Sequence, residues 1–261
     1  MRNVTRALRV IQNLVSTRTW ILDIICEDMD ACNEFIKNSQ SLKTLYDAFI
    51  SVGCGILMIY FLSALINRTM NDELSIEFIL REICKTLIGI LFIKNGYALF
   101  VGISDFGVAI VDGLYTKSTY EFIEMSTSVR YSFWNTVFSF TMLIPNLIYF
   151  LIATCVSKVI IWGRMAELGL YISNAPIAIS DLVVSGTSSN AYKYIKKVLA
   201  LSLQGGVIVT SVLICQRFSE MLTDITNLSF GNFASSILIG VIMLKMLISS
   251  KSISEDIVGI K

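Results

Sequence analysis

Residues 48–66 read AFISVGCGILMIYFLSALI and contain no charged side chain. A helix needs about 20 mostly apolar residues to cross a bilayer core, so this run has the length of a membrane span. Further apolar runs follow at residues 83–104, 136–162, 168–184, 198–215 and 233–248. The run at 168–184 differs from the others because it contains Asn174, Pro176 and Asp181, and it reads either as a full span or as a re-entrant half-helix. The pattern therefore predicts an all-α polytopic transmembrane helix bundle of about five to six spans.

Upstream of the first span, residues 1–46 are predicted to form a separate N-terminal region. At about 100° per residue, Val4, Leu8, Ile11 and Val15 align on one face of a helix, with Arg2, Arg6, Arg9 and Asn13 opposite. Such an amphipathic helix suits an interfacial anchor, with a mitochondrial presequence or a helix packed on a partner as alternatives. Residues 47–261 form the predicted transmembrane domain. Its longest linker, residues 105–135, mixes Asp112, Lys117, Glu121, Glu124 and Arg130 with aromatic rings, a composition that fits the membrane interface.

Composition supports this class. The chain is 54% hydrophobic and only 16% charged, with a mean hydropathy of +0.69, whereas soluble domains carry about 25% charged residues. A net charge of +1 argues against a broad basic surface for nucleic acid. The absence of histidine excludes His-based triads, HExxH zinc sites and His-ligated haem. No GxxxxGK[ST] loop or strand-preceded GxGxxG is present, so an ATP-driven process would need its ATPase on another chain. No cofactor and no metal site is expected. Cys26, Cys32, Cys54, Cys84, Cys155 and Cys215 read as small apolar residues, with a Cys26–Cys32 disulfide as the alternative.

Charges within apolar runs are the usual markers of function in membrane proteins. Lys94 and Lys158 lie deepest and are candidates for a polar cavity or a subunit contact. Arg164 and Glu167, three residues apart, are expected to pair with each other at a helix junction, and Lys85 with Glu82. Lys245 is placed to snorkel to the interface. Pro145 and Pro176 each remove a helical hydrogen bond, freeing the carbonyls of Thr141 and Ile172. Such a carbonyl needs a new partner in lipid. The Gly53-Cys54-Gly55 run inside the first span reads as a notch where helices pack closely.

From Trp162 the chain reads WGRMAELGLYISNAPIAISDLVVSGTSSNAYKYIKKVLALSLQGGVIVTSVLIC. A helix ends at Asn174-Ala175-Pro176-Ile177, and a polar linker follows at residues 185–190. Next come a basic-aromatic start, Tyr192-Lys193-Tyr194-Ile195-Lys196-Lys197, and an apolar helix containing Leu203-Gln204-Gly205. This order, over about residues 160–217, resembles the core of the TrbL family, the polytopic channel subunits of type IV secretion and conjugation systems. The resemblance implies a non-enzymatic, multi-pass subunit of the bacterial cytoplasmic membrane. Such a subunit would form a homo-oligomer, join other membrane subunits and depend on separate ATPases. Nucleic acid would meet it only as transported substrate.

The family contributes no catalytic residues, and its motif maps here onto Pro176, Gln204 and Gly205. Asn174, Pro176, Asp181, Gln204, Gly205 and Gly206 are therefore the expected helix break and polar seam, with the freed Ile172 carbonyl close to Gln204. The seam is expected to face another subunit. A small secondary transporter or ion channel, with its site at Pro176 and Asp181, is the competing function.

Orientation gives two answers. With six spans, Lys and Arg divide thirteen to four and place both termini in the cytoplasm, together with the middle linker. The family resemblance places that linker outside.

Overall fold

The computed structural model describes residues 19–70, 75–122, 133–181, 189–225 and 229–260. All regular structure among them is α-helical: α1 (Thr19–Asn38), α2 (Gln40–Met70), α3 (Ile76–Phe122), α4 (Phe133–Ile179), α5 (Asn190–Ile225) and α6 (Ser229–Val258). The N-terminal amphipathic helix expected around Val4–Val15 lies outside the described residues.

Serine side chains set the start of three helices. Ser39 Oγ accepts the Leu42 N–H at 3.3 Å, Ser75 Oγ accepts that of Phe78 at 3.2 Å, and Ser189 Oγ accepts that of Tyr192 at 3.1 Å. Each satisfies one of the first-turn N–H groups that a helix cannot pair internally. At the other end of α6, Gly259 takes φ +70°. Its N–H bonds to the Asp256 carbonyl and that of Ile260 to the Glu255 carbonyl, the double closure that favours glycine.

The chain separates into two compact units. One comprises Met1–Asp30, Ala109–Trp162 and Gly205–Ser250, and the other Ala31–Val108, Gly163–Gln204 and Lys251–Lys261. The second contains a core of Ile36, Tyr46, Leu57, Ile93, Phe100, Leu168, Ile172, Ala175, Ile179, Val198 and Leu201. Tyr46 donates its hydroxyl to the Ile93 carbonyl at 2.6 Å, so its polar tip costs little when buried. In the first unit, the Gly206 position approaches Ile110, with a Cβ there coming within 3.1 Å of Ile110 Cγ2. Tyr115 donates to Asp23 at 2.6 Å in the same unit.

Among the described residues, three helical segments are long and apolar enough to cross a membrane: Gln40–Met70, Ile76–Thr116 and Asn190–Cys215. This points to a membrane protein. In the most apolar windows of the first two, only 11% and 22% of residues are buried, against 67% in the third. The segments of α2 and α3 are thus peripheral, whereas that of α5 is largely enclosed by protein. Met58, Ile59, Leu62 and Ile66 on α2, and Leu80, Leu87, Leu91 and Phe92 on α3, are exposed apolar side chains. Such a surface is costly in water and suited to lipid. The other expected spans, 136–162 and 233–248, are helical, but many of their side chains lie outside the described residues.

Two expectations are corrected. The runs at 136–162 and 168–184 do not form two crossings, because α4 continues through Trp162, Arg164 and Glu167 to Ile179. A helix that does not turn back cannot make a return crossing, and the partners of Arg164 and Glu167, described below, allow it to continue. Nor does the linker begin at residue 105, since α3 runs on to Phe122. Asp105 has local partners that make helix acceptable there: Asn33 Nδ2 donates to it at 2.8 Å and Lys37 lies at 3.7 Å. Asn33 in turn accepts from Ser104 Oγ at 2.9 Å.

Candidate functional site

Of the residues expected to carry function, Lys94, Arg164, Glu167, Asn174, Pro176, Asp181 and Gln204 lie in the unit containing Gly163–Gln204, and Lys158, Gly205 and Gly206 in the other. Arg164, on α4, is 9% exposed and turns toward α5. Its Nε donates to the Leu201 carbonyl at 2.6 Å and its Nη2 to the Ser202 carbonyl at 3.1 Å. Arginine suits this role because its rigid fork reaches two acceptors at once. Ser202 Oγ donates onward to the Ile103 carbonyl at 2.6 Å, which brings α3 into the same contact. Gly107 completes it, since any Cβ there would collide with the Ser202 backbone.

The expected Arg164–Glu167 pair does not form. Glu167 instead receives Lys251 from α6, with Nζ at 2.7 and 2.8 Å from the two carboxylate oxygens. Here the spacing does not decide the partners, because Arg164 is buried while the Glu167 side chain is 43% exposed. Lys85 does pair with Glu82, at 2.6 Å. Lys158, in the other unit, lies 3.3 Å from Asp28 Oδ2 and donates to Oδ1 at 3.4 Å. Oδ2 itself accepts no hydrogen bond, so this contact is chiefly Coulombic. Lys94 and Lys245 are exposed on their helices.

Pro176 lies in the last turn of α4, and the helix continues three residues beyond it to Ile179. Pro176 is buried against Gly53 of α2, where a Cβ would come within 2.8 Å of the proline carbonyl carbon. Asn174 Nδ2 donates to the Leu170 carbonyl at 2.9 Å within its own helix. Asp181 Oδ2 accepts the Asn190 N–H at 2.9 Å, placing a carboxylate at the start of α5. The unpaired N–H groups and positive dipole end of that helix favour it there.

The single polar seam is corrected. Arg164 meets Leu201 and Tyr194 meets Tyr171, so α4 and α5 run antiparallel with Ile172 level with Lys193. Gln204 is eleven residues further along α5, roughly 16 Å away at 1.5 Å per residue. Pro176, Gln204, Gly205 and Gly206 are all buried within the chain.

All six cysteines are free, Cys26 and Cys32 included. Burial pushes the Cys26 thiol up to about 12, with Asp30, Asp112 and Asp23 adding to the shift.

The sequence reading missed a polar group on the outward side of this site. Tyr171, Lys197, Lys251 and Glu255 join Glu167 around a cavity of about 470 Å³. Tyr194 donates to the Tyr171 carbonyl. Lys197 Nζ stands 5.8 Å from the centre of the Tyr171 ring, and Lys196 donates to the Gly259 carbonyl at 3.3 Å. No local signal could have joined Glu167 to Lys251, which is 84 residues away. Comparison of the chain with protein-family models, curated proteins and solved structures finds no match.

Proposed function

We propose that this chain is a TrbL-like, non-enzymatic channel or scaffold subunit of a type IV secretion or conjugative transfer apparatus. It lies in the bacterial cytoplasmic membrane as a multi-pass protein and assembles with copies of itself and other membrane subunits. It passes protein or DNA–protein substrates with energy supplied by separate ATPases.

The observation that carries this reading is the order of features along α4 and α5. A proline stands in the last turn of one helix, and a polar linker leads to Ser189. Lys193, Lys196 and Lys197 then lie in the first turns of the next helix, ahead of the buried Gln204. Exposed apolar faces on α2 and α3 support the membrane setting. Five crossings, by α2 to α6, fit the continuous α4. With five, Lys and Arg outside the crossings divide nine to seven between the two sides, and the charge bias that six spans gave largely disappears.

A transporter site at Pro176 and Asp181 fits less well. The first packs on Gly53 and the second binds the start of α5.

The test is purification of the tagged chain from its native membranes. Co-purification of ATPases in a large multi-chain complex is expected. Solute uptake by vesicles containing the chain alone, abolished by Asp181→Asn, would overturn the proposal.

A further inference from the structure

Two cavities of the unit containing Gly163–Gln204 meet on one face of α4. The polar one, of about 470 Å³, presents Lys197 and Lys251 beside Glu167 and Glu255. The other, of about 530 Å³, is an apolar groove walled by Phe35, Leu42, Leu45 and Phe49, with Gly169 between them and α4's own side chains. Leu170 and Asn174, one helical turn apart, line both cavities. A charged compartment and an apolar one therefore lie side by side, with Leu170 and Asn174 as their common wall.

The charges have a definite arrangement. Lys251 is held by both oxygens of Glu167, while Lys197 has its ammonium over the face of the Tyr171 ring. Lys197 can therefore take up a phosphate without breaking the Glu167–Lys251 pair. Glu255 adds a second carboxylate, so the compartment balances two cations with two anions. That balance matches a ligand carrying both signs.

Position along the helices agrees. Lys197 and Tyr194 stand in the first turns of α5, a candidate membrane crossing. The ends of crossing helices are where lipid headgroups and polar side chains meet.

We propose that this composite site holds one phospholipid with a zwitterionic phosphoethanolamine headgroup. Its phosphate lies on Lys197, its ammonium faces Glu255, and one acyl chain lies in the groove beside Gly169. The inference rests on the chain lying in a bilayer and not on what it transports.

The experiment is native mass spectrometry of the full chain in mild detergent. The protein is first incubated with equal amounts of phosphatidylethanolamine, phosphatidylglycerol and phosphatidylcholine. Preferential retention of one phosphatidylethanolamine is expected. Lys197→Glu should lower it about tenfold, the worth of one charge-assisted hydrogen bond. Gly169→Leu should lower it comparably by filling the groove. A Cβ at Gly169 meets only Leu42, at 3.5 Å, so that variant keeps its fold. Thermal unfolding of each variant checks this, and Lys197→Gln, at an exposed position, replaces either variant if it unfolds.

Equal retention of the three lipids, preference for phosphatidylglycerol, or unchanged retention in the variants would each overturn the proposal. Recovery of the chain in solution without detergent would instead overturn the membrane setting, and is read separately.

Discussion

Gly53 of α2 and Pro176 of α4 touch backbone to backbone, so closely that a side chain at residue 53 has no room. Gly55, two residues on, has nothing within 4 Å of its Cβ position. Gly53→Val should therefore destabilise the protein by about 1–3 kcal/mol, the range for overpacking a filled contact. Gly55→Ala should stabilise it slightly, by about 0.5–1 kcal/mol, as alanine does in place of an unpacked helical glycine. Thermal unfolding in detergent measures both, and equal effects at the two sites would contradict the contact.

Arg164 ties α4 to the Leu201 and Ser202 carbonyls of α5 with two hydrogen bonds from one guanidinium. Lysine keeps the charge but lacks the fork. Arg164→Lys should lose about 2 kcal/mol, in line with hydrogen bonds to a charged group. A denaturation midpoint equal to that of the unaltered chain would show that the fork contributes nothing.

The start of α5 depends on two side chains. Ser189→Ala removes the cap on the Tyr192 N–H and should cost about 1 kcal/mol. Asp181→Asn removes the carboxylate facing the dipole at Asn190 and should cost about 0.5 kcal/mol. Hydrogen exchange at the first turn of α5 should rise in both variants. Unchanged protection there would remove the capping role.

Cys26 should resist alkylation. Burial first, and neighbouring carboxylates second, hold its thiol up at about 12, so almost no thiolate exists at about pH 8. A permeant maleimide should label Cys84, exposed at the start of its apolar run, in the folded chain. Cys26 should react only after unfolding, and comparable labelling rates would contradict its burial.

The Glu167–Lys251 pair gives a contribution that depends on pH. The hydrogen bonds that Lys251 donates to Glu167 raise its pKa above its ordinary 10.5, so folding favours the protonated lysine. The stabilisation is therefore complete below 10.5 and is lost as the pH rises through the higher folded value. Both side chains are nearly half exposed, 47% and 43%, which limits the effect to about 0.5 kcal/mol. Lys251→Gln should unfold slightly earlier than the unaltered chain at neutral pH and together with it above that range. A gap that persists at alkaline pH would exclude the pair as its source.

Much of the helical framework was legible in the residue pattern. The runs at 48–66, 83–104 and 198–215 fall within the three segments able to cross a membrane. The Lys85–Glu82 pair followed from spacing, because three residues on one helix bring side chains within reach when both lie on the same face. The same spacing failed for Arg164 and Glu167. Their bearings were decided by α5 and α6, whose closeness no local window contains.

Hydrophobic periodicity, the lack of histidine and the scarcity of charge determined by themselves that this is a helical chain built from apolar segments. Those signals are local, set by 3.6 residues per turn and by the cost of placing charge in lipid. Only the tertiary structure decided that α4 continues through Trp162, that Pro176 rests on Gly53, and that Asp181 serves the next helix. A proline or a carboxylate in an apolar run demands a partner, and which group supplies it depends on packing between residues far apart in the chain.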